Sequence, residues 1–180
     1  MAKLYHLSGD ELTIPFIISW RANLRDSINL NFSSENPNYS SLFDDSASEK
    51  LEETRLASLK ELDLSASFLL MSAIEAKFRI DFYYRTRSKN RVPLAREFKE
   101  LERRFDVRIR MKEHIIAAWR REFTQLKTEL DDFQEAIPFR DWFAHGRYKT
   151  PPKGRIDHDF LEILTVARNL DRNADFLPGG

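Results

Sequence analysis

The chain has 180 residues, 42% of them hydrophobic and 32% charged, with a net charge of zero, 5 glycines, 7 prolines and no cysteine. That is enough length for one domain with its own core, and so few glycines and prolines argue against an all-β fold. The lack of cysteine excludes disulfides, thiolate nucleophiles and cysteine-ligated zinc.

Charge is unevenly spread: residues 1–76 carry a net −6, residues 77–121 a net +9 and residues 122–180 a net −3. A basic middle suits phosphates if it folds onto one face; the plain alternative is a solvated helical surface. The first residues lack an apolar run of signal-peptide length, and no stretch is long enough to span a membrane. A cytoplasmic protein is expected.

The apolar spacing of Ile14, Ile17, Ile18, Leu24 and Ile28 predicts a first helix over about 13–30, capped by Thr13 with Pro15 in its first turn. Residues 31–48 are rich in Asn, Ser and Asp and read as a polar loop. Ser46 and Glu49 fit a capping box for a long helix over about 49–87, which buries Leu56, Leu59, Leu62, Leu69, Ile74 and Phe78. From Leu62 to Tyr84 it is apolar almost all round, as the central helix of a bundle is. Within it Glu75 and Arg79 stand four apart in the favourable order for an ion pair, with Asp81 just beyond.

Arg85, Arg87, Lys89 and Arg91 then form a basic run with no acid between them. Pro93 starts a short helix that places Leu94, Phe98, Leu101 and Phe105 on one side, and Val107-Arg-Ile-Arg110 reads as a brief extended link. A helix over about 111–127 buries Ile115, Ile116, Trp119, Phe123 and Leu126, and its His114 reads as a surface or packed histidine. The next, over about 129–145, should kink or break at Pro138. A last helix over about 157–172 turns Phe160, Ile163, Leu164 and Ala167 inward, and residues 173–180 should fray. The whole is expected to be one all-α bundle of five to six helices.

The chemistry concentrates in Phe139-Arg-Asp-Trp-Phe-Ala-His-Gly-Arg147. An imidazole moves protons near neutral pH, and a guanidinium is always charged and fits phosphate oxygens. Arg140 and His145 are the candidate catalytic pair, with Asp141 in the supporting set. Trp142 and Phe143 can hold the segment against a core, and Gly146 is the residue type that ends helices in a left-handed cap. Five residues of helix are about 500° of rotation, so the two side chains do not lie on one line. After the glycine, Arg147, Tyr148, Lys149, Lys153 and Arg155 bring four positive charges and no acid. Arg147, Tyr148 and Lys149, with Arg85 and Arg87, are the candidate RNA contacts. The four histidines show no metal spacing, and no metal or cofactor is expected.

Arg140-Asp-Trp-Phe-Ala-His145 resembles the Arg-x(4–6)-His motif of the HEPN superfamily, all-helical domains of which many are ribonucleases. Trp142-Phe-Ala-His-Gly-Arg-Tyr148 is similar to the extended motif of the bacterial RiboL-PSP-HEPN group. That motif is accompanied by an upstream Glu-Ala-x-x-Arg-x-Asp-Tyr helix, which here reads Glu75-Ala-Lys-Phe-Arg79-Ile-Asp81-Phe-Tyr83. The likeness spans roughly residues 50–170. It implies a helical bundle that dimerises and pools two Arg/His pairs in a cleft. Such proteins act in toxin–antitoxin pairs or phage defence, which would bring an antitoxin or defence-system partner.

The leading expectation is a metal-independent endoribonuclease. His145 transfers protons, Arg140 stabilises the phosphorane, and Glu75, Arg79 and Asp81 orient the pair from the neighbouring helix. The alternative is a helical interaction module without chemistry, in which the motif charges are structural.

Overall fold

A 40-residue helix, α3 (Ser48–Arg87), is the spine of the fold; at 1.5 Å per residue it is about 60 Å long. In this computed structural model the described residues are 7, 9–43, 48–89, 92–151 and 159–177. α3 packs against α1 (Ile14–Asn31), α4 (Pro93–Phe105), α6 (Lys127–Ala144) and α7 (Phe160–Asn173). Between α1 and α3 lies a single turn, α2 (Tyr39–Leu42), and before α6 the short α5 (Ala117–Glu122). No strand occurs among the described residues, and without the single-turn α2 they hold six α-helices. The expected all-α bundle is therefore what the chain forms.

Its core is continuous through α3. Leu59, Leu62, Ala66, Leu70, Met71, Ile74 and Phe78 are buried along the spine. From Ala66 to Phe78 they share one cluster with Ile14 and Ile17 from α1, Leu94 and Phe98 from α4, Leu130, Phe133 and Ala136 from α6, and Phe160, Ile163, Ala167 and Leu170 from α7. Phe78 is the hub, with ring centroids 5.6 Å from Trp119, 5.4 Å from Phe133 and 4.9 Å from Phe176. Arg21 ties three helices together: its guanidinium pairs with Asp63 of α3 at 2.7 Å and lies 3.9 Å over the Phe160 ring of α7.

Several local readings are corrected. Leu56 is 53% exposed, because the spine's N-terminal turns extend past the core; Leu24 likewise faces out. The helix read over 111–127 is three pieces, a wide π-helical turn at Met111–Ile116, then α5, then a 3-10 turn at Thr124–Leu126. The link at 107–110 begins as a 3-10 turn at Asp106–Arg108. α6 does not break at Pro138: the proline lies on an exposed face of the helix.

The tail is not frayed as far as Leu177. Asp175 offers its carbonyl to Arg85 at 2.6 Å, Leu177 donates its N–H to Asp81 at 2.9 Å, and Phe176 enters the aromatic cluster. Residues 178–180, Ser46 of the expected capping box, His6, His158, Lys153 and Arg155 lie outside the described residues.

Candidate functional site

α6 runs antiparallel to the spine, and three contacts join the motif to one face of it. Arg140 pairs with Glu75, the Phe143 ring stacks on Phe68 at 4.9 Å, and Arg147 pairs with Glu61 at 2.7 Å. Glu61, Phe68 and Glu75 are spaced by seven, which keeps them on one stripe of a helix. The sequence reading missed Glu61 and Phe68, although that spacing was visible in it.

Glu75 is the shared acid. One oxygen takes Nε and Nη2 of Arg79 at 2.9 and 2.7 Å, and the other takes Arg140. Arg140 also reaches Asp141 at 3.1 Å, so its guanidinium sits between two carboxylates. Glu75, Arg79, Arg140 and Asp141 thus form one charge network.

The end of α6 follows the glycine rule. Gly146 has φ +80° and Arg147 φ +56°. The Gly146 N–H donates to the Phe143 carbonyl at 3.2 Å and the Arg147 N–H to Trp142 at 3.0 Å, the paired bonds of a Schellman cap. No atom stands within 4 Å of where a Gly146 side chain would begin, so a substitution there meets only backbone strain. Gly146→Ala should lower stability by about 1–2 kcal/mol, read as a shift in the denaturant midpoint.

His145 is exposed at this cap, and its spacing of five residues turns it away from Arg140. His145 shares the stripe of Pro138, Asp141 and Trp142, and with Tyr148, Lys149 and Thr150 they line an open cleft of about 260 Å³. The Trp142 indole N–H donates to the Lys149 carbonyl at 2.8 Å, pinning the far wall. Tyr148 is 74% exposed and carries Lys149 over its ring at 5.1 Å. Arg140, on the spine side of α6, does not line this cleft.

Two expectations fail here. Asp81 is fully buried and serves Arg85 and Leu177, not the motif; six residues beyond Glu75 is about 600° of helix, which turns it to another face. Burial raises the Asp81 carboxyl above the ordinary carboxylate range, opposed by the Leu177 N–H and the Arg85 charge. Arg85 cannot meet RNA: it is buried, with Nε 2.8 Å from both Asp81 oxygens and its guanidinium carbon 5.5 Å from the Trp119 ring centre. Phe139, the first residue of the motif, is buried in its own chain. Arg87 stays at the surface, 3.8 Å over the Tyr83 ring and 3.5 Å from Glu102.

Among the described residues no cluster of three or more His, Asp or Glu is placed to hold a metal ion, and no helix is long and apolar enough to cross a membrane. No protein-family model matches this chain, and neither a curated protein nor a solved structure matches it.

Proposed function

We propose that the chain is a metal-independent endoribonuclease that works as a homodimer, in the cytoplasm, as a toxin or phage-defence effector with an antitoxin or defence-system protein as its partner. The observation that carries this reading is the place of His145: exposed on a cleft whose opposite wall brings Lys149 and Tyr148. RNA supplies its own nucleophile, so proton transfer and charge stabilisation are sufficient chemistry. His145 takes the proton of the 2′-OH, the 2′-oxygen attacks phosphorus, and the bond to the 5′-oxygen breaks as that oxygen gains a proton from an imidazolium.

Two imidazoles are needed and the motif of one chain offers one. Arg140 and His145 also face different sides of α6, which favours a site completed by a second copy. The Glu75–Arg79 pair fixes the direction of the Arg140 guanidinium, and Arg147 sits in an exposed ion pair that a phosphate can replace. A second reading, a helical interaction module without chemistry, is favoured by the neutralisation of Arg140 between Glu75 and Asp141.

The test is cleavage of end-labelled RNA by the purified protein in excess EDTA. Cleavage should proceed and leave a 2′,3′-cyclic phosphate and a 5′-OH, while DNA of the same sequence stays intact. Light scattering at tens of micromolar should give a dimer. A requirement for Mg²⁺ would defeat the mechanism, and a fully active monomer would defeat the composite site. A dimer that cuts no RNA leaves the interaction module.

A further inference from the structure

The basic middle of the chain contributes nothing to the His145 cleft. It makes a second cleft of about 490 Å³, lined by Arg104, Phe105, Arg108, Arg110, Glu113 and His114. The chain is bent to form it. Asp106 holds φ +46°, and the backbone then passes through a 3-10 turn into the π-helical turn at Met111–Ile116. Positive φ at a non-glycine residue and π-helical turns both carry strain and concentrate where a site is built.

The geometry inside is specific. The Arg110 N–H donates to His114 Nδ1 at 2.8 Å, and the imidazole stacks on Phe105 with ring centres 4.1 Å apart. The Arg104 guanidinium lies 5.1 Å from the Phe105 ring centre. Arg104, Arg108 and Arg110 are exposed, and none makes an ion pair or side-chain hydrogen bond with a described residue. Several other arginines of the chain are paired: Arg21, Arg55, Arg121 and Arg147 each hold a carboxylate. Against three free guanidinium groups the cleft sets one acid, Glu113.

We propose that this cleft binds the phosphate backbone of single-stranded RNA, at a site separate from the one where His145 acts. Guanidinium forks fit phosphate oxygens, and an aromatic pair between them gives bases a stacking surface; together they are the footprint of single-strand binding. The cleft is open, as a groove for a passing strand is. The choice of RNA rests on the ribonuclease reading; the phosphate chemistry does not. The two clefts share no residue.

The probe is a fluorescent 2′-O-methyl RNA 12-mer, which has no 2′-OH and cannot be cut, titrated at several salt concentrations. The triple variant Arg104→Gln/Arg108→Gln/Arg110→Gln should bind at least tenfold more weakly. Its slope of log affinity against log salt should fall by about two, since each single-strand phosphate contact contributes roughly 0.7. Arg55→Gln, which breaks a paired arginine, should leave both unchanged. Exposed side chains are altered, so the triple variant should keep its melting curve; if it does not, Arg108→Gln and Arg110→Gln singly should each lower the slope. Unchanged affinity and slope, or no binding by the wild type, overturns the proposal. Unmodified RNA left uncut, with binding still lost in the triple variant, overturns the ribonuclease reading and leaves this site standing.

Discussion

Replacing His145 with alanine should abolish RNA cleavage. In a dimer the substitution removes the proton acceptor and the proton donor together, and each group of this kind contributes about 10²–10⁴. The combined loss should therefore be on the order of 10⁴ or more, below detection in most cleavage assays. Because His145 is exposed beyond the last turn of α6, the variant should keep its circular dichroism and its dimer. Arg140→Ala should cost on the order of 10² in rate, as loss of a charge stabiliser does. It leaves Glu75 paired with Arg79, so the spine should hold. A neutral base and a protonated acid together give a bell-shaped pH–rate profile. Wild-type rates in His145→Ala would end the mechanism.

Asp81→Ala should produce the largest loss of stability. It strips the partner from Arg85, which is only 6% exposed, and the acceptor from the Leu177 N–H. Breaking a buried pair by removing one side typically costs about 3–5 kcal/mol, a fall in Tm of roughly 6–20 °C for a domain of this size. Asp81→Asn keeps an acceptor for Leu177 and should lose less. The wild type also has a pH signature. Burial raises the Asp81 pKa in the folded state, so just above the unfolded value, near 4, the folded protein keeps a proton the unfolded chain has released. Stability from this group is full below that value and declines as pH rises through the folded one. Urea unfolding across that range should show the decline in wild type and its absence in Asp81→Asn. A loss under 1 kcal/mol in Asp81→Ala would mean that Arg85 finds water in the folded state.

Helix spacing made most of the bundle legible. The spine read as 49–87 is 48–87, and the inward residues of α7 are those expected. Reading charge was harder, because a basic run does not say which of its members turn inward. Arg85 and Arg87 differ by two residues, about 200° of helix, and one is core while the other is surface. The same difficulty hid the second cleft: Arg104, Arg108 and Arg110 converge through a positive φ at Asp106 and a π-helical turn, and neither has a residue signature. The Gly146 cap was legible because left-handed caps favour glycine; the divergence of Arg140 and His145 followed from their spacing.

The contact between Leu177 and Asp81 spans 96 positions of sequence. During synthesis Asp81 and Arg85 leave the ribosome well before the residues that satisfy them. At about 5–20 residues per second that interval lasts roughly 5–20 s. The centre of the spine therefore cannot close as it emerges, and the aromatic hub around Phe78 and Trp119 waits for Phe176. Emergence of Asp175, Phe176 and Leu177, not growth of the spine, should set when the fold locks. Until then its apolar centre is open to a chaperone.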